Sequence, residues 1–373
     1  MNSRLALRAA AVSLAAGSMT LASAASAQRI ENSYICIFAR DAVPRGQERA
    51  EAVRSANAQG GAVSRVYDTA IRGFAANISA QGAANMKARN PRIAYCEQDQ
   101  VMRAVQVRAA ARPGGGGSTG QQVPWGVTFV AGGVSGATGR AWVIDSGIDG
   151  DHPDLNVNAS LSANFANGSS WEDGNGHGTH VAGTIAALNN SIGVVGVAAG
   201  AQVVAVRVLG NNGSGSNSGV IAGVDYVARN GRSGDVANMS LGGGVSTALD
   251  NAVVNAAAGG VKFVLAAGNE SDDVRNHSPA RVNAPNVFTV SAFGQGSGGT
   301  ALWASYSNYG PGIDYAEPGS SILSTYKGGA YATLSGTSMA TPHLAGLLLL
   351  GAVRNGGTVT GDPDGTYELI GKH

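Results

Sequence analysis

The feature that most constrains the fold is an alternation of short apolar runs with longer helical stretches after residue 124. Continuously apolar strands are typical of a parallel sheet whose two faces are both covered by helices. We therefore predict an α/β domain built on a mostly parallel, doubly wound sheet. The predicted strands are 141–144, 203–209, 236–241, 262–266 and 287–292, and the predicted helices are 180–188, 218–229, 247–258 and 338–353.

A glycine-rich segment, RPGGGGSTG at 112–120, divides the chain into two regions. Such a composition does not pack, and it marks a natural boundary and cleavage site. Upstream, strand-like runs at 33–38, 74–78 and 93–96 alternate with helix-prone stretches at 47–59 and 80–88, which predicts a small α+β sandwich. The predicted division is a signal peptide at 1–27, the sandwich at 28–106, a linker and processing region at 107–123, and the α/β domain at 124–373.

The N-terminus has the pattern of an export signal. Arg4 and Arg8 precede an apolar stretch, and Ala-Ser-Ala at 25–27 is a small-residue site of the kind that signal peptidase cuts. The alternative is a membrane anchor, but a span needs about 20 apolar residues and this stretch is shorter. Export would place Cys36 and Cys96 in an oxidising compartment, where they form either a disulfide or two free buried thiols.

The charge balance excludes two classes of partner. Charged residues make up only 13% of the chain and the formal net charge is +1. No basic field is therefore available to hold a nucleic acid or an anionic membrane surface. After removal of the signal peptide, the chain has no further segment of membrane-spanning length, so we expect no membrane association.

Three segments carry residues suited to nucleophilic catalysis. Asp145 follows a predicted strand in VIDSGID (143–149), His177 lies in GNGHGTHVAG (174–183), and Ser338 lies in SGTSMATPH (335–343). Serine is a weak nucleophile that needs a neighbouring imidazole as base, and a carboxylate can orient that imidazole. In open α/β sheets such groups gather beyond the carboxyl ends of the strands.

These motifs, in the order Asp, His, Ser, resemble the subtilase family, and most closely its proteinase K branch. The resemblance covers about 124–350 and includes NMSLGGG at 238–244, AAGN at 266–269 and SPA at 278–280. It implies a serine endopeptidase with Asp145, His177 and Ser338 as its triad. The Asn269 amide and the Ser338 backbone N–H would form the oxyanion hole.

The resemblance also implies how a polypeptide substrate binds. The substrate would lie extended between two edge segments, beside a first specificity pocket of small, uncharged groups, which predicts broad, apolar-leaning specificity. A restrictive processing protease and a catalytically inactive binding module are the alternatives. The implied substrate-binding residues are Gly213, Ser214, Gly215, Ser240, Leu241, Gly242, Ala266, Ala267 and Gly268.

Metal binding is implied at one place and not at another. The proteinase K branch implies a structural calcium ion held by the carbonyls of Pro285 and Val287 and the carboxylate of Asp314, with a plain turn as the alternative. Catalysis itself would need no cofactor. His180 and His343 lie near the triad motifs, but we interpret them as packing residues, because no third ligand lies at a recognisable spacing.

The region at 28–106 resembles the inhibitor-like propeptide of subtilases, in AIRGFAA at 70–76 and AYCEQD at 94–99. This implies a monomeric zymogen whose propeptide assists folding, inhibits the active site and is released by autocleavage between 101 and 122. The destination would be the periplasm or the medium. The resemblance weakens in the turn-rich tail at 356–373, where we expect the family's terminal helices to be missing.

Overall fold

The computed structural model describes residues 28–105, 108–109 and 120–373. The predicted signal peptide at 1–27 and most of the predicted linker and processing region at 107–123 lie outside the described residues. Among the described residues, no helix is long and apolar enough to cross a membrane.

Residues 28–105 form an α+β unit with an antiparallel sheet in the order β4-β1-β3-β2. Side chains alternate across β1, so that Cys36 and Phe38 face the helices of this unit while Ile35 faces the larger domain. Cys36 lies opposite Cys96 and the two form a disulfide. The elements are β1 (Arg29–Phe38), α1 (Glu48–Asn57), β2 (Ala62–Tyr67), β3 (Gly73–Asn77), α2 (Ala80–Arg89) and β4 (Ile93–Ala104).

The sequence prediction missed β2. Ala62 and Ser64 are exposed, and the polar residues Ser64 and Arg65 interrupt the apolar ones. The segment therefore lacks the continuous apolar run by which the other strands were predicted. Pairing with β3 and burial of Tyr67 define it as a strand. The unit therefore contains one more strand than the sequence indicated.

The larger domain is built on a ten-stranded sheet in the order β19-β20-β16-β14-β12-β10-β6-β8-β7, with β15 beside β14. The strands from β20 to β7 pair in parallel, which confirms the predicted α/β fold class. The strands after β4 are β5 (Arg108–Ala109), β6 (Arg140–Asp145), β7 (Ala163–Asn164), β8 (Gln202–Arg207), β9 (Ser214–Ser216), β10 (Val236–Met239), β11 (Leu241–Gly244), β12 (Lys262–Ala266), β13 (His277–Ser278), β14 (Val287–Gln295), β15 (Ala301–Trp303), β16 (Tyr315–Pro318), β17 (Ile322–Tyr326), β18 (Ala330–Ser335), β19 (Arg354–Thr358) and β20 (Leu369–Lys372).

Helices cover both faces of this sheet. The helices α5 and α6 pack over Trp142 and Phe263 on one face, while α4 and α7 pack over Val143 and Val264 on the other. Neighbouring strand residues thus point to opposite cores, as the pleat requires. The helices are α3 (Trp125–Phe129), α4 (His177–Ala186), α5 (Asn217–Asn230), α6 (Thr247–Ala258) and α7 (Thr337–Leu350), with 3₁₀ turns at Val274–Asn276 and Ser297–Gly299.

Several predicted elements have different boundaries in the structure, and two of them lie near the ends of strands and helices that form the cleft. The apolar run at 236–241 is not one strand: β10 ends at Met239, and Leu241 begins β11, which belongs to another sheet. The helix predicted from His180 begins three residues earlier, at His177. Apolar periodicity does not mark either change, because both lie in glycine-containing or serine-containing turns.

The C-terminal tail is more ordered than the sequence suggested. As expected, the described residues after Leu350 contain no helix. They instead form the antiparallel pair β19 and β20, and β20 extends the central sheet by pairing in parallel with β16.

Candidate active site

The fold brings Asp145, His177 and Ser338 to one edge of the central sheet. Asp145 is the last residue of β6, His177 is the first residue of α4, and Ser338 lies in the first turn of α7. All three side chains are buried. Because both helices begin at the carboxyl edge of the sheet, their first turns and the end of β6 meet in one cleft.

Asp145 and His177 form a direct contact. His177 Nδ1 lies 2.8 Å from Asp145 Oδ1 and 3.0 Å from Oδ2. Burial alone would lower the pKa of His177, but the charge and hydrogen bond of Asp145 outweigh it and hold that pKa above its ordinary value. The contact also requires the proton on Nδ1, which leaves Nε2 as the basic nitrogen of the neutral ring.

Two glycines permit this placement of His177. Gly176 has a φ of 109°, and a Cβ there would lie 2.3 Å from the Tyr326 ring. A Cβ at Gly178 would lie 2.1 Å from the Gly147 carbonyl oxygen. The helix can therefore start against the loop that follows Asp145 only if both positions lack a side chain.

Asp173 organises the loops on both sides of this contact, and the sequence analysis did not identify it. Its Oδ1 accepts hydrogen bonds from the Ser146 hydroxyl at 2.9 Å and the Gly176 N–H at 2.8 Å. Its Oδ2 accepts from the N–H and hydroxyl of Thr179. The only signal in the sequence is an acid four residues before His177 in a glycine-rich turn.

Ser338 lies at the N-terminal end of α7 and is tied to Ser240. The Ser338 hydroxyl donates to the Ser240 carbonyl oxygen at 3.0 Å, and the Ser240 hydroxyl donates to the Ser338 carbonyl oxygen at 2.9 Å. Among the described residues, His177 Nε2 has no hydrogen-bond partner. Ser338 and His177 are thus not hydrogen-bonded to each other in this structure. Hydrogen bonds between catalytic groups often form only in the reacting complex.

Asn269 lies beside Ser338 because its side chain holds the start of α7. Asn269 Oδ1 accepts hydrogen bonds from the Thr337 N–H at 2.8 Å and the Thr337 hydroxyl at 2.9 Å. This fixes the orientation of the amide, whose nitrogen lies on the Gly336 side. Asn308, which the sequence analysis missed, holds the same loop through the Ala267 carbonyl and the Glu270 N–H.

The predicted substrate-binding segments flank an extended strand from this same chain. β4 lies between β9 and β11 and pairs antiparallel with both. Arg103 is opposite Ser214 and Gly242, Met102 is opposite Gly215, and Ala104 is opposite Leu241, while the Ala104 N–H donates to the Gly213 carbonyl at 2.9 Å. The segments predicted to hold a substrate backbone therefore hold a backbone here.

Val105, which directly follows β4, contacts the carbonyl group to which Ser338 is bonded. Its N–H donates to the Ser240 carbonyl at 3.5 Å, the same oxygen that accepts from the Ser338 hydroxyl. Val105 Cγ2 lies 4.0 Å from the position that a Cβ would take at Gly242. The chain continues past the cleft, since Arg108 lies opposite Ser335 where β5 pairs with β18. Residues 106 and 107 lie outside the described residues.

The remaining predicted pocket residues lie at the carboxyl end of β12. Ala266 ends the strand, Ala267 is fully buried, and Gly268 has a φ of 112° before Asn269. A cleft of about 330 Å³ opens on the other side of the bound strand, lined among others by His177, Gly213 and Ser214.

His180 and His343 are fully buried, and each is bonded through a ring nitrogen to a backbone carbonyl group. His180 Nε2 lies 3.0 Å from the Ile322 carbonyl oxygen, and His343 Nδ1 lies 2.8 Å from that of Met339. Burial lowers the pKa of His180 to about 3 and that of His343 to about 4. Neutral rings bonded to carbonyl groups suit the packing role that we predicted for them.

The residues predicted to bind calcium lie at the start of β14 and next to it. The Asp314 carboxylate accepts a hydrogen bond from the Thr289 N–H at 2.8 Å, which places it beside the strand that begins at Val287. Among the described residues, no lysine, arginine or histidine forms an ion pair with Asp314. A partly buried carboxylate without a cationic partner fits the donor set of a calcium site.

Comparison with known proteins gives a consistent result. A family model described as the subtilase family matches residues 142–356. The chain is 43% identical over 313 residues to an extracellular serine proteinase of Thermus sp. (strain Rt41A), covering 82% of this chain and 72% of that protein. It is 46% identical over 243 residues to subtilisin Savinase of Lederbergia lenta, covering 63% of this chain and 86% of that protein. A crystal structure of a cold adapted subtilisin-like serine proteinase matches with a TM-score of 0.53 and 39% identity, covering 62% of this chain and 88% of that one.

Proposed function

The chain belongs to the subtilase family of serine endopeptidases, and from that premise we propose that it is a secreted zymogen whose catalytic triad is Asp145, His177 and Ser338. The observation that carries this proposal is the position of Val105. Its backbone N–H and the Ser338 hydroxyl share the Ser240 carbonyl oxygen, beside a histidine that contacts Asp145. A polypeptide backbone therefore lies against a serine, a histidine and a carboxylate arranged for peptide-bond cleavage.

The reaction follows from the protonation states in the cleft. Ser338 Oγ attacks the substrate carbonyl carbon while its proton moves to His177 Nε2. The tetrahedral intermediate then collapses: the carbon–nitrogen bond breaks, and His177 returns the proton to the departing amine. Water, deprotonated by the same nitrogen, hydrolyses the acyl-enzyme and restores Ser338. Asp145 keeps the proton of the neutral ring on Nδ1 and stabilises the imidazolium in each half-reaction.

Asn269 and the first turn of α7 supply the stabilisation of negative charge. The Asn269 amide nitrogen and the Ser338 N–H would donate to the oxyanion, and the positive end of the α7 dipole adds to their effect. The contact of Asn269 Oδ1 with Thr337 orients the amide before substrate arrives. This preorganisation supports the assignment of Asn269 to the oxyanion hole.

Specificity would be broad and would favour apolar side chains. The backbone of residues 101–104 pairs with main-chain groups of β9 and β11, a mode of binding that any sequence can satisfy. The first pocket is lined by small, uncharged residues, and in this chain Val105 lies against it. Polypeptides of varied sequence are the proposed substrates.

We propose that residues 28–105 are the inhibitory propeptide and that Ser338 cleaves the bond after Val105. Two carboxylates of β4 support tight docking: Asp99 accepts from the Ser218 N–H at the start of α5, and Glu97 accepts from the Ala248 N–H at the start of α6. These bonds satisfy first-turn N–H groups that have no partner within the helix. The interval of 101–122 predicted for autocleavage contains this bond.

Export as a monomer and a structural calcium ion complete the proposal. The signal-like sequence at 1–27 and the extracellular relative support secretion, to the periplasm or the medium.

The carbonyl groups of Pro285 and Val287 and the carboxylate of Asp314 would hold calcium, which would stabilise the start of β14. Chelation should then lower the melting temperature of the wild type by more than it lowers that of Asp314→Asn.

The direct test of function is hydrolysis of casein and of small chromogenic peptides by the purified, processed protein. We expect activity that a serine-directed sulfonyl reagent abolishes and that Ser338→Ala lacks. No hydrolysis by folded, propeptide-free protein would favour the alternative of an inactive binding module. Cleavage of one sequence only would favour the restrictive processing protease.

A further inference from the structure

Three carboxylates converge in the loop between β19 and β20, the two strands that follow α7 in the chain. One carboxylate oxygen from each of Asp362, Asp364 and Glu368 lies within 4.8 Å of the others. Two oxygens on opposite sides of a calcium ion are separated by about 4.6 to 5.2 Å, since each calcium–oxygen distance is about 2.3 to 2.6 Å. The spacing of the three groups therefore matches a single coordination sphere.

The described residues do not neutralise this cluster. None of the three carboxylates forms an ion pair with a lysine, arginine or histidine of the described residues. The Thr366 hydroxyl contacts all three groups: Oγ1 lies 3.0 Å from Asp362 Oδ2, 2.7 Å from Asp364 Oδ1 and 3.3 Å from Glu368 Oε1. A hydroxyl has one proton and can donate to one of them at a time.

Glu368 distinguishes the cluster from an ordinary acidic surface loop. Its side chain points inward, the residue is only 5% exposed, and Oε2 has no hydrogen-bond partner among the described residues. An ionised carboxylate buried without a partner is costly, and buried charges are normally paired or bound to a metal. The buried oxygen lies in the same group of carboxylates that has the spacing of a metal site.

We propose that Asp362, Asp364 and Glu368 bind a calcium ion that fastens the C-terminal strand pair to the central sheet. Three carboxylates offer hard oxygen ligands, and calcium accepts irregular sets of them completed by water. The site is separate from the one proposed at Asp314 and does not depend on the proposed catalytic function.

The position of the loop explains what the ion would stabilise. The Val359 N–H donates to the Glu368 carbonyl, and Thr360 is bonded to Ala301 on β15. Val359 and Ile370 are buried in the same small core, on either side of the loop. An ion bound to residues 362, 364 and 368 would hold together the loop that connects Val359 to Ile370. β20 begins directly after the last of these ligands.

Calcium binding to the full chain tests the proposal. The protein would be the chelator-treated Ser338→Ala variant, which prevents self-digestion, and calcium chloride would be titrated calorimetrically. In the Ser338→Ala background, a further Asp362→Asn or Glu368→Gln substitution should abolish the binding of one calcium ion per chain or weaken its affinity at least tenfold. Adding Asp314→Asn should leave that ion bound. Asp272→Asn is the matched control, because Asp272 already contacts His277 and should have no effect.

A second measurement covers the case in which Glu368→Gln does not fold. Asp364 is exposed at the surface, so Asp364→Asn should fold and should still lose the calcium-dependent rise in melting temperature that this site contributes. The proposal is overturned if folded Asp362→Asn and Asp364→Asn bind calcium with unchanged stoichiometry and affinity. It is equally overturned if the Asp314→Asn background binds no calcium at all.

Discussion

The protonation state of His177 decides when the proposed triad can act. Only the neutral ring can accept the Ser338 proton, so activity should fall as the pH decreases through the pKa of His177. Asp145 raises that pKa by stabilising the imidazolium, against the opposing effect of burial. The same carboxylate that favours catalysis therefore also places the acid limb of the pH–rate profile at a higher pH.

Asp145→Asn should lower kcat about 10⁴-fold or more, the loss known for subtilisin-type triads. It should also move the acid limb of kcat to lower pH, because the charge that raises the pKa of His177 is gone. Measuring kcat against pH with a chromogenic peptide tests both effects. Asp151→Asn, an exposed acid in the loop after β6, is the control and should change neither. An unchanged acid limb in Asp145→Asn would refute the assignment.

Asn269→Ala should lower kcat about 10²- to 10³-fold, a range taken from the equivalent change in subtilisin itself. KM should change little, because the amide acts on charge that develops only in the transition state. Steady-state kinetics on the processed enzyme separate the two constants. A rise in KM with kcat intact would instead make Asn269 a binding residue.

Single residues were predictable from sequence where a motif surrounds them. Asp145, His177 and Ser338 lie in glycine-rich or serine-rich turns at the ends of recognisable elements, and the structure brings them into one cleft. Asp173 and Asn308 hold the same loops by side-chain hydrogen bonds, but one acid or amide has no pattern of its own. Their roles depend on contacts with residues that are distant in sequence.

At the scale of elements, β4 joins the N-terminal unit to the larger domain. It is the central strand between β9 and β11, and it places Glu97 and Asp99 at the first turns of α6 and α5. Burial raises the pKa of Glu97 in this complex. Burial likewise raises the pKa of Asp225, whose carboxylate accepts hydrogen bonds from the Thr69 and Ala70 N–H groups. Because both carboxyl groups hold a proton more tightly when docked, proton uptake stabilises the docked state.

The docked propeptide should be released more readily as the pH rises. A carboxyl whose pKa is raised by docking stabilises the complex at low pH, and this contribution is lost as the pH rises through the raised value. Active-site titration of the self-cleaved complex measures the release. We would carry it out between pH 5 and 9, which lies above the ordinary glutamate pKa of about 4.3. Glu97→Gln should reduce the pH dependence. Faster release at acid pH would contradict this account.

Element types were easier to predict than element boundaries. The sheet strands and covering helices of the larger domain follow from apolar runs, and 247–258 and 262–266 were predicted with the observed limits. The change of direction at Ser240 was not, because Leu241 continues the apolar pattern while its backbone leaves the sheet to pair with β4. The β19 and β20 pair was missed for the opposite reason: Gly356, Gly357 and Gly371 dilute its apolar character.

At the scale of the whole molecule, the two units share one core as well as a strand. Ile35, Tyr67 and Met102 of the N-terminal unit are buried in the same cluster as Val220 and Leu249 of the larger domain. Burying such side chains contributes about 1.5 to 3 kcal/mol each. The propeptide assignment therefore predicts that the larger domain folds against a preformed partner surface, an arrangement that sequence patterns within either unit do not reveal.

Removing residues 28–105 from the gene should lower the yield of active enzyme, because the apolar faces of α5 and α6 would lack this partner during folding. Refolding the truncated chain with and without the separately expressed N-terminal unit measures the effect. Recovery of full activity without that unit would rule out a folding role, while leaving its inhibitory role to be judged from the pH-dependent release.

The most direct test of the central claim is the mass of the two products that form when the purified precursor is incubated without other proteases. We predict that the wild type yields a fragment ending at Val105 together with the larger domain, and that Ser338→Ala stays as one chain under the same conditions. Cleavage of purified Ser338→Ala after Val105, or a wild-type precursor that remains intact, would contradict self-processing by this serine.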